Sequence, residues 1–235
     1  MCRLTKPPHW GRCKMKKDAN RTGIWGGSGS GKSTCLKEQL VDHDRQIVLD
    51  PLQDWKRERG YKTVRSTKEL LTVLKRDWNS SFKIVFDVDI MKHDPVKTLD
   101  EVSRALFVIQ EPYNAGRDKR MMTLVVDEMA DFFPNQGAKM QRHQFYHLSR
   151  KGRHYGINIF GASQRLAEVH PSFRGNAREN YFFRQDEAID VQRALQSLGS
   201  EWKSELLGLQ DHEYLHKQQG TITKGKNACN WNKRR

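Results

Sequence analysis

The stretch Gly26-Gly27-Ser28-Gly29-Ser30-Gly31-Lys32-Ser33, continued by Thr34, decides how this sequence is read. It satisfies the pattern G-x-x-x-x-G-K-[ST] at every defined position. The apolar run Thr22-Gly23-Ile24-Trp25 precedes it and reads as a strand. The segment from Lys32 to about Leu40 follows and reads as a helix. Strand, glycine-rich turn and helix form a phosphate-binding loop. The glycines let successive backbone N–H groups point inward around phosphate oxygens, and the helix N-terminus adds partial positive charge. Lys32 is placed to reach the β- and γ-phosphates, and the Ser33 hydroxyl to ligate Mg²⁺. Residues 26–34 are therefore expected to bind ATP with Mg²⁺.

Outward from the loop, short apolar runs alternate with longer amphipathic stretches. Strands are predicted at Gln46–Asp50, Phe82–Phe86, Met122–Val126, Ile157–Ala162 and Tyr181–Phe183. Helices are predicted at Thr67–Trp78, Thr98–Gln110, Gln141–Lys151 and Glu187–Leu198. Glu213-Tyr214-Leu215 and Thr221-Ile222-Thr223 suit a closing hairpin. Strands alternating with helices of 10–15 residues imply crossover units, so the fold class is α/β with a mainly parallel sheet flanked by helices.

Ligands bind at the carboxyl edge of such sheets. The run Leu124-Val125-Val126 places Asp127 and Glu128 at the exposed end of a buried strand on that edge. Asp127 is a candidate to hold Mg²⁺ through water, and Glu128 to polarise an attacking water. Asp50 ends another strand there, and reads equally as a supporting residue or as a solvated strand end. Gln164, in Ser163-Gln164-Arg165, is a candidate sensor of the γ-phosphate. Ser149-Arg150-Lys151-Gly152-Arg153-His154 offers guanidinium groups suited to a neighbouring subunit's site, to nucleic-acid phosphate, or to solvent. The loop Gly116-Arg117-Asp118-Lys119-Arg120 is a candidate DNA contact or a solvated loop.

The 235 residues carry a net charge of +14, concentrated at the ends. Residues 1–22 hold seven Lys/Arg and one Asp, and residues 217–235 hold six Lys/Arg and no acid. The expected organisation is a basic arm at 1–21, a nucleotide-binding domain at 22–216 and a basic tail at 217–235. Basic ends suit a polyanion. Cys2, Cys13, Cys35 and Cys229 show no C-x-x-C spacing, which argues against a structural zinc site and fits a reducing compartment. No apolar run approaches the roughly 18 residues of a membrane helix. The N-terminus has no secretory pattern.

These elements, in this order, resemble the FtsK–HerA superfamily of motor ATPases, and within it the compact genome-packaging ATPases of viruses with an internal membrane. The resemblance rests on residues 26–33, Ile47-Val48-Leu49-Asp50-Pro51, Val125-Val126-Asp127-Glu128 and the stretch Arg150–Arg165. It implies a P-loop NTPase fold of the RecA-like (ASCE) kind and a Mg²⁺-dependent ATPase that moves DNA into a capsid. Lys32, Glu128 and Gln164 would act in one subunit. Arg153, with Arg150 as its neighbour candidate, would act on the next. It further implies a homo-oligomeric ring, expected as a hexamer, and double-stranded viral DNA as substrate. Portal or vertex proteins are the implied partners, with contact to the viral membrane, and the host cytoplasm and packaging vertex the implied locations. Leu166 departs from the proline usual in cellular translocases. The alternatives are an extrusion ATPase of the zonula-occludens-toxin type and a non-motor nucleotide switch or kinase.

Overall fold

The computed structural model describes residues 19–228, so most of the N-terminal arm, Cys2, Cys13 and Cys229 lie outside the described residues. Nine strands form one sheet: β1 (Arg21–Trp25), β2 (Arg45–Asp50), β3 (Lys62–Val64), β4 (Phe82–Asp87), β5 (Met122–Val126), β6 (Ile157–Ser163), β7 (Glu179–Phe182), β8 (Glu213–Gln218) and β9 (Thr221–Lys226). Their order is β3-β4-β2-β5-β6-β1-β7-β8-β9. The first seven in that order pair in parallel, and β8 and β9 close one edge antiparallel. The mainly parallel α/β sheet is therefore as the sequence predicts. β6 lies between β1 and β5, so its end stands between the glycine loop and the Asp127-Glu128 pair.

The helices are α1 (Lys32–Gln39), α2 (Thr67–Asp77), α3 (Pro95–Ile109), α4 (Glu111–Asn114), α5 (Met129–Phe132), α6 (Gln144–Lys151), α7 (Pro171–Asn176), α8 (Ala188–Leu198) and α9 (Lys203–Leu207). Strand alternation sends side chains to two cores. Ile47, Leu49, Leu124, Val126 and Ile159 pack on one face with α2, α3 and α6. Ile24, Val48, Val125 and Phe160 pack on the other with Cys35, Leu36 and Leu40 at α1.

Local chemistry sets the helix ends. Asp94 caps α3 through Val96 N and Lys97 N, with Pro95 in the first turn, so this helix starts ahead of the predicted Thr98. His143 Nδ1 accepts from Phe145 N at 3.1 Å, which starts α6 at Gln144 rather than Gln141. β3 escapes the sequence pattern because only Val64 of its three residues is buried.

Two domain boundaries need correction. Arg21 begins β1, and the sheet runs on to Lys226, so residues 217–226 belong to the hairpin rather than to a tail. The outermost strand, β9, has no fully buried residue, and its apolar signal is Ile222 alone, within the predicted Thr221–Thr223.

Candidate active site

The carboxyl ends of β1, β2, β5, β6 and β7 meet at one edge, and the glycine loop leaves β1 there. Gly29 and Gly31 adopt φ of 70° and 107°, a region that glycine enters without steric penalty. Ser30 Oγ donates to the Gly27 carbonyl at 2.8 Å and tightens the turn. Lys32 Nζ donates to the same carbonyl at 2.7 Å, which holds the ammonium across the loop. Burial lowers the Lys32 pKa, while Glu128, Asp127 and Asp186 favour its charged form.

Residues far along the chain shape this loop. Gly27 N donates to the Arg184 carbonyl at 2.8 Å, and the Asp186 carboxylate lies where any side chain at position 27 would stand. Asn227 Nδ2 donates to the Gly31 carbonyl at 2.8 Å, and His212 N to the Ser30 carbonyl at 2.8 Å. A Cβ at position 31 would lie 2.8 Å from His212 Nδ1. Arg184, Asp186, His212 and Asn227 carry no motif, so sequence reading misses them.

Asp127 is buried rather than exposed, which corrects the expectation from the sequence. Its cover is Trp55, whose indole Nε1–H donates to Asp127 Oδ2 at 2.8 Å. Asp50 makes this possible. It is fully buried and accepts from Trp55 N at 2.9 Å and Asp54 N at 3.2 Å, folding the segment after β2 back over the sheet edge. The solvated reading of Asp50 is thereby excluded. Burial raises the Asp127 pKa, the Trp55 bond opposes the rise, and Glu128 adds to it. Trp55→Phe keeps the bulk of the ring but strips a buried carboxylate oxygen of its donor. The expected result is a loss of about 1–3 kcal/mol, read as a lower urea midpoint at unchanged m-value.

Glu128 turns away from the strand direction with φ 61° and ψ 63°. Its Oε1 accepts from Ser163 Oγ at 2.6 Å and from Gln164 N at 3.1 Å. Burial raises the Glu128 pKa, and these two bonds and Lys32 oppose it. A carboxylate so placed suits a general base. The structure thus brings Lys32, Asp127, Glu128 and Gln164 to one edge.

Arg153 is elsewhere. It is exposed on the turn Gly152–Tyr155 that enters β6 at its amino end. The seven residues of β6 put roughly 20 Å between that turn and the loop edge, beyond the reach of its own subunit's site. Arg21 fixes the approach to this turn, with Nη1 on the Ser149 carbonyl at 2.8 Å and Nε on the Asn176 carbonyl at 2.8 Å. Arg150 lies over Tyr146 and donates to its hydroxyl at 2.9 Å. In the loop 116–120, Arg120 is a brace: it pairs with Asp118 at 2.6 Å, bonds Asn79 Oδ1 and lies over the Trp78 ring. Arg117 and Lys119 are exposed and form no salt bridge among the described residues.

The donor set suits a hard cation that keeps most of its water. No group of three or more His, Cys, Asp or Glu is placed to hold a metal among the described residues. What the site offers is the Ser33 hydroxyl in the first turn of α1 and the carboxylate of Asp127. Mg²⁺ typically takes one or two such protein ligands together with substrate phosphates.

No family model matches the chain, and no curated protein matches it in sequence. In fold, it aligns with the genome packaging NTPase B204 from Sulfolobus turreted icosahedral virus 2 in complex with ATP-gammaS. The TM-score is 0.69 at 16% identity, over 89% of this chain and 98% of that one. This chain has the fold of a P-loop ATPase. B204, the DNA-packaging ATPase from Sulfolobus Turreted Icosahedral Virus, aligns at a TM-score of 0.64 and 17% identity, over 91% of this chain and 100% of that one. VirB4 of Thermoanaerobacter pseudethanolicus aligns at 0.63 and 16%, over 94% and 92%. At these identities the likeness is one of fold, and the chemistry must be argued from the residues above.

Proposed function

We propose that this protein is a genome-packaging motor ATPase of the FtsK–HerA kind, hydrolysing ATP with Mg²⁺ to drive DNA into a capsid. The observation that carries the hydrolase reading is the placement of Glu128. It is held at the loop edge by Ser163 and the Gln164 N–H, beside Lys32 and Asp127. A kinase acting on a small hydroxyl would not require such a base next to the loop.

Lys32 and the loop N–H groups would bind the phosphates. Ser33 and Asp127 would hold Mg²⁺, which when bound neutralises charge between the β- and γ-phosphates. Glu128 would accept the proton of the attacking water, and the Gln164 side chain would sense the γ-phosphate. Arg153, remote from its own loop, would serve the next subunit of a ring, expected as a hexamer. The packaging reading is supported by the match over nearly the whole of B204, a protein described as a genome packaging NTPase. Among the described residues, no helix is long and apolar enough to cross a membrane.

The test is ATP hydrolysis at low and high salt, with and without double-stranded DNA. Turnover stimulated by DNA and lost as salt rises is the expected result, because grip on phosphates is salt-sensitive. Turnover indifferent to DNA at every salt concentration would overturn the motor reading.

A further inference from the structure

Beside β7, on the face away from α1, the structure holds a cavity of about 910 Å³ between α7, α8 and the β8 edge. Arg174, Arg178, Arg193 and Lys217 line it, and no Asp or Glu does. None of these four cations forms a salt bridge among the described residues, although most arginines around them do pair or brace. Arg174 spends its Nε on the Val169 carbonyl, Lys217 bonds the Ser197 carbonyl, and Arg193 Nη1 bonds Gln196 Oε1 at 2.9 Å. Arg193 Nε is buried with no partner. The nearby carboxylate of Asp190 is already taken by Arg165 at 3.0 Å and Ala167 N at 2.7 Å. Like charges gathered this way repel one another, and an anion relieves that repulsion.

We propose that this cavity binds the phosphodiester backbone of nucleic acid. A polymer fits better than a free nucleotide because the positive charge does not stop at the cavity rim. Arg178 lies close enough to Arg21 to act on its charge, as Arg153 does, so the cations continue onto the amino edge of the sheet. The Gln196 side chain in the wall, whose Oε1 accepts from Arg193, adds a neutral amide N–H group, suited to a sequence-independent grip. The choice of DNA as the polymer rests on the proposed motor function. Lys32, Asp127 and Glu128 do not line the cavity, so its cations can be altered without touching the residues proposed for catalysis.

The experiment is fluorescence anisotropy of a labelled 30-base-pair DNA with the full chain, without nucleotide, across a KCl series. Arg178 makes no side-chain bond within the described residues, so Arg178→Gln tests the cavity without disturbing packing. Arg174→Gln/Arg178→Gln extends the test, with thermal melting to confirm folding. Arg117→Gln/Lys119→Gln, on the exposed loop ahead of β5, is the matched comparison. Each cavity cation removed is expected to weaken binding about threefold to tenfold at low salt. It should also flatten the slope of log K against log[KCl] by about one, with ATP turnover in the absence of DNA unchanged. A slope kept by the cavity variants but lost by the loop variant would overturn the inference and leave the motor reading standing. A changed oligomeric size with an unchanged slope would reassign the cavity to a subunit junction and likewise overturn it. Absence of DNA binding by the unaltered protein at low salt would remove the DNA reading itself.

Discussion

Lys32→Ala abolishes ATP turnover: that is the expected result, with a loss of at least 10²–10³-fold, the range found when one preorganised transition-state donor is removed. The argument rests on position. The Lys32 ammonium is bonded across the glycine loop, at 2.7 Å from the Gly27 carbonyl, and Glu128 and Asp127 lie near enough to favour its charged form. Its removal leaves developing negative charge on the phosphates facing two carboxylates. Lys32→Arg should fail almost as fully, because a planar fork does not replace a compact point charge in a narrow loop. Steady-state hydrolysis and binding of a fluorescent nucleotide are the two measurements. Hydrolysis by Lys32→Ala at the unaltered rate would sink the assignment of the loop.

Arg153→Ala is expected to lower turnover by about 10³-fold or more, as loss of an arginine finger does, while nucleotide affinity stays within a few fold. Arg153 sits on the opposite edge of the sheet from its own loop, so on the proposed reading its effect would be exerted on a neighbour's site. Mixing distinguishes this role from a structural one. Arg153→Ala protein retains Glu128, and Glu128→Gln protein retains Arg153. In a randomly mixed ring, about a quarter of the junctions pair an intact Glu128 with an intact Arg153. Under conditions of subunit exchange, two inactive proteins should therefore restore a measurable share of activity. No restoration, with exchange demonstrated by labelled subunits, would count against action in trans.

The sequence made the loop, the alternating elements and the acidic pair legible because each is a local pattern. Gly26–Ser33 needs no distant residue to be recognised, and the apolar run into Asp127 marks a strand end by itself. What stayed hidden depends on contacts across the sheet. Trp55 lies 72 residues from Asp127 in sequence, and nothing near it marks it as the cover of a carboxylate. Asp50 allowed two readings until its bonds to Asp54 N and Trp55 N showed it folding that cover into place. Asn227 and His212 touch the loop from the two ends of a hairpin that the sequence does suggest, but nothing in the sequence marks these two residues as loop contacts. The order of strands, with β6 between β1 and β5, is likewise a property of pairing, and it alone explains why Ser163 and Gln164 N meet Glu128.

The left-handed backbone at Glu128 has an evolutionary consequence. Glycine would occupy that conformation with less strain, and a glutamate there is disfavoured by about 1 kcal/mol or more. Drift at position 128 therefore trades that strain against the carboxylate's bonds to Ser163 Oγ and Gln164 N and, on the proposed reading, against the base itself. If the proposed function holds, descendants released from the need to hydrolyse nucleotide would be recognisable by a glycine there: the scaffold kept and the engine silent.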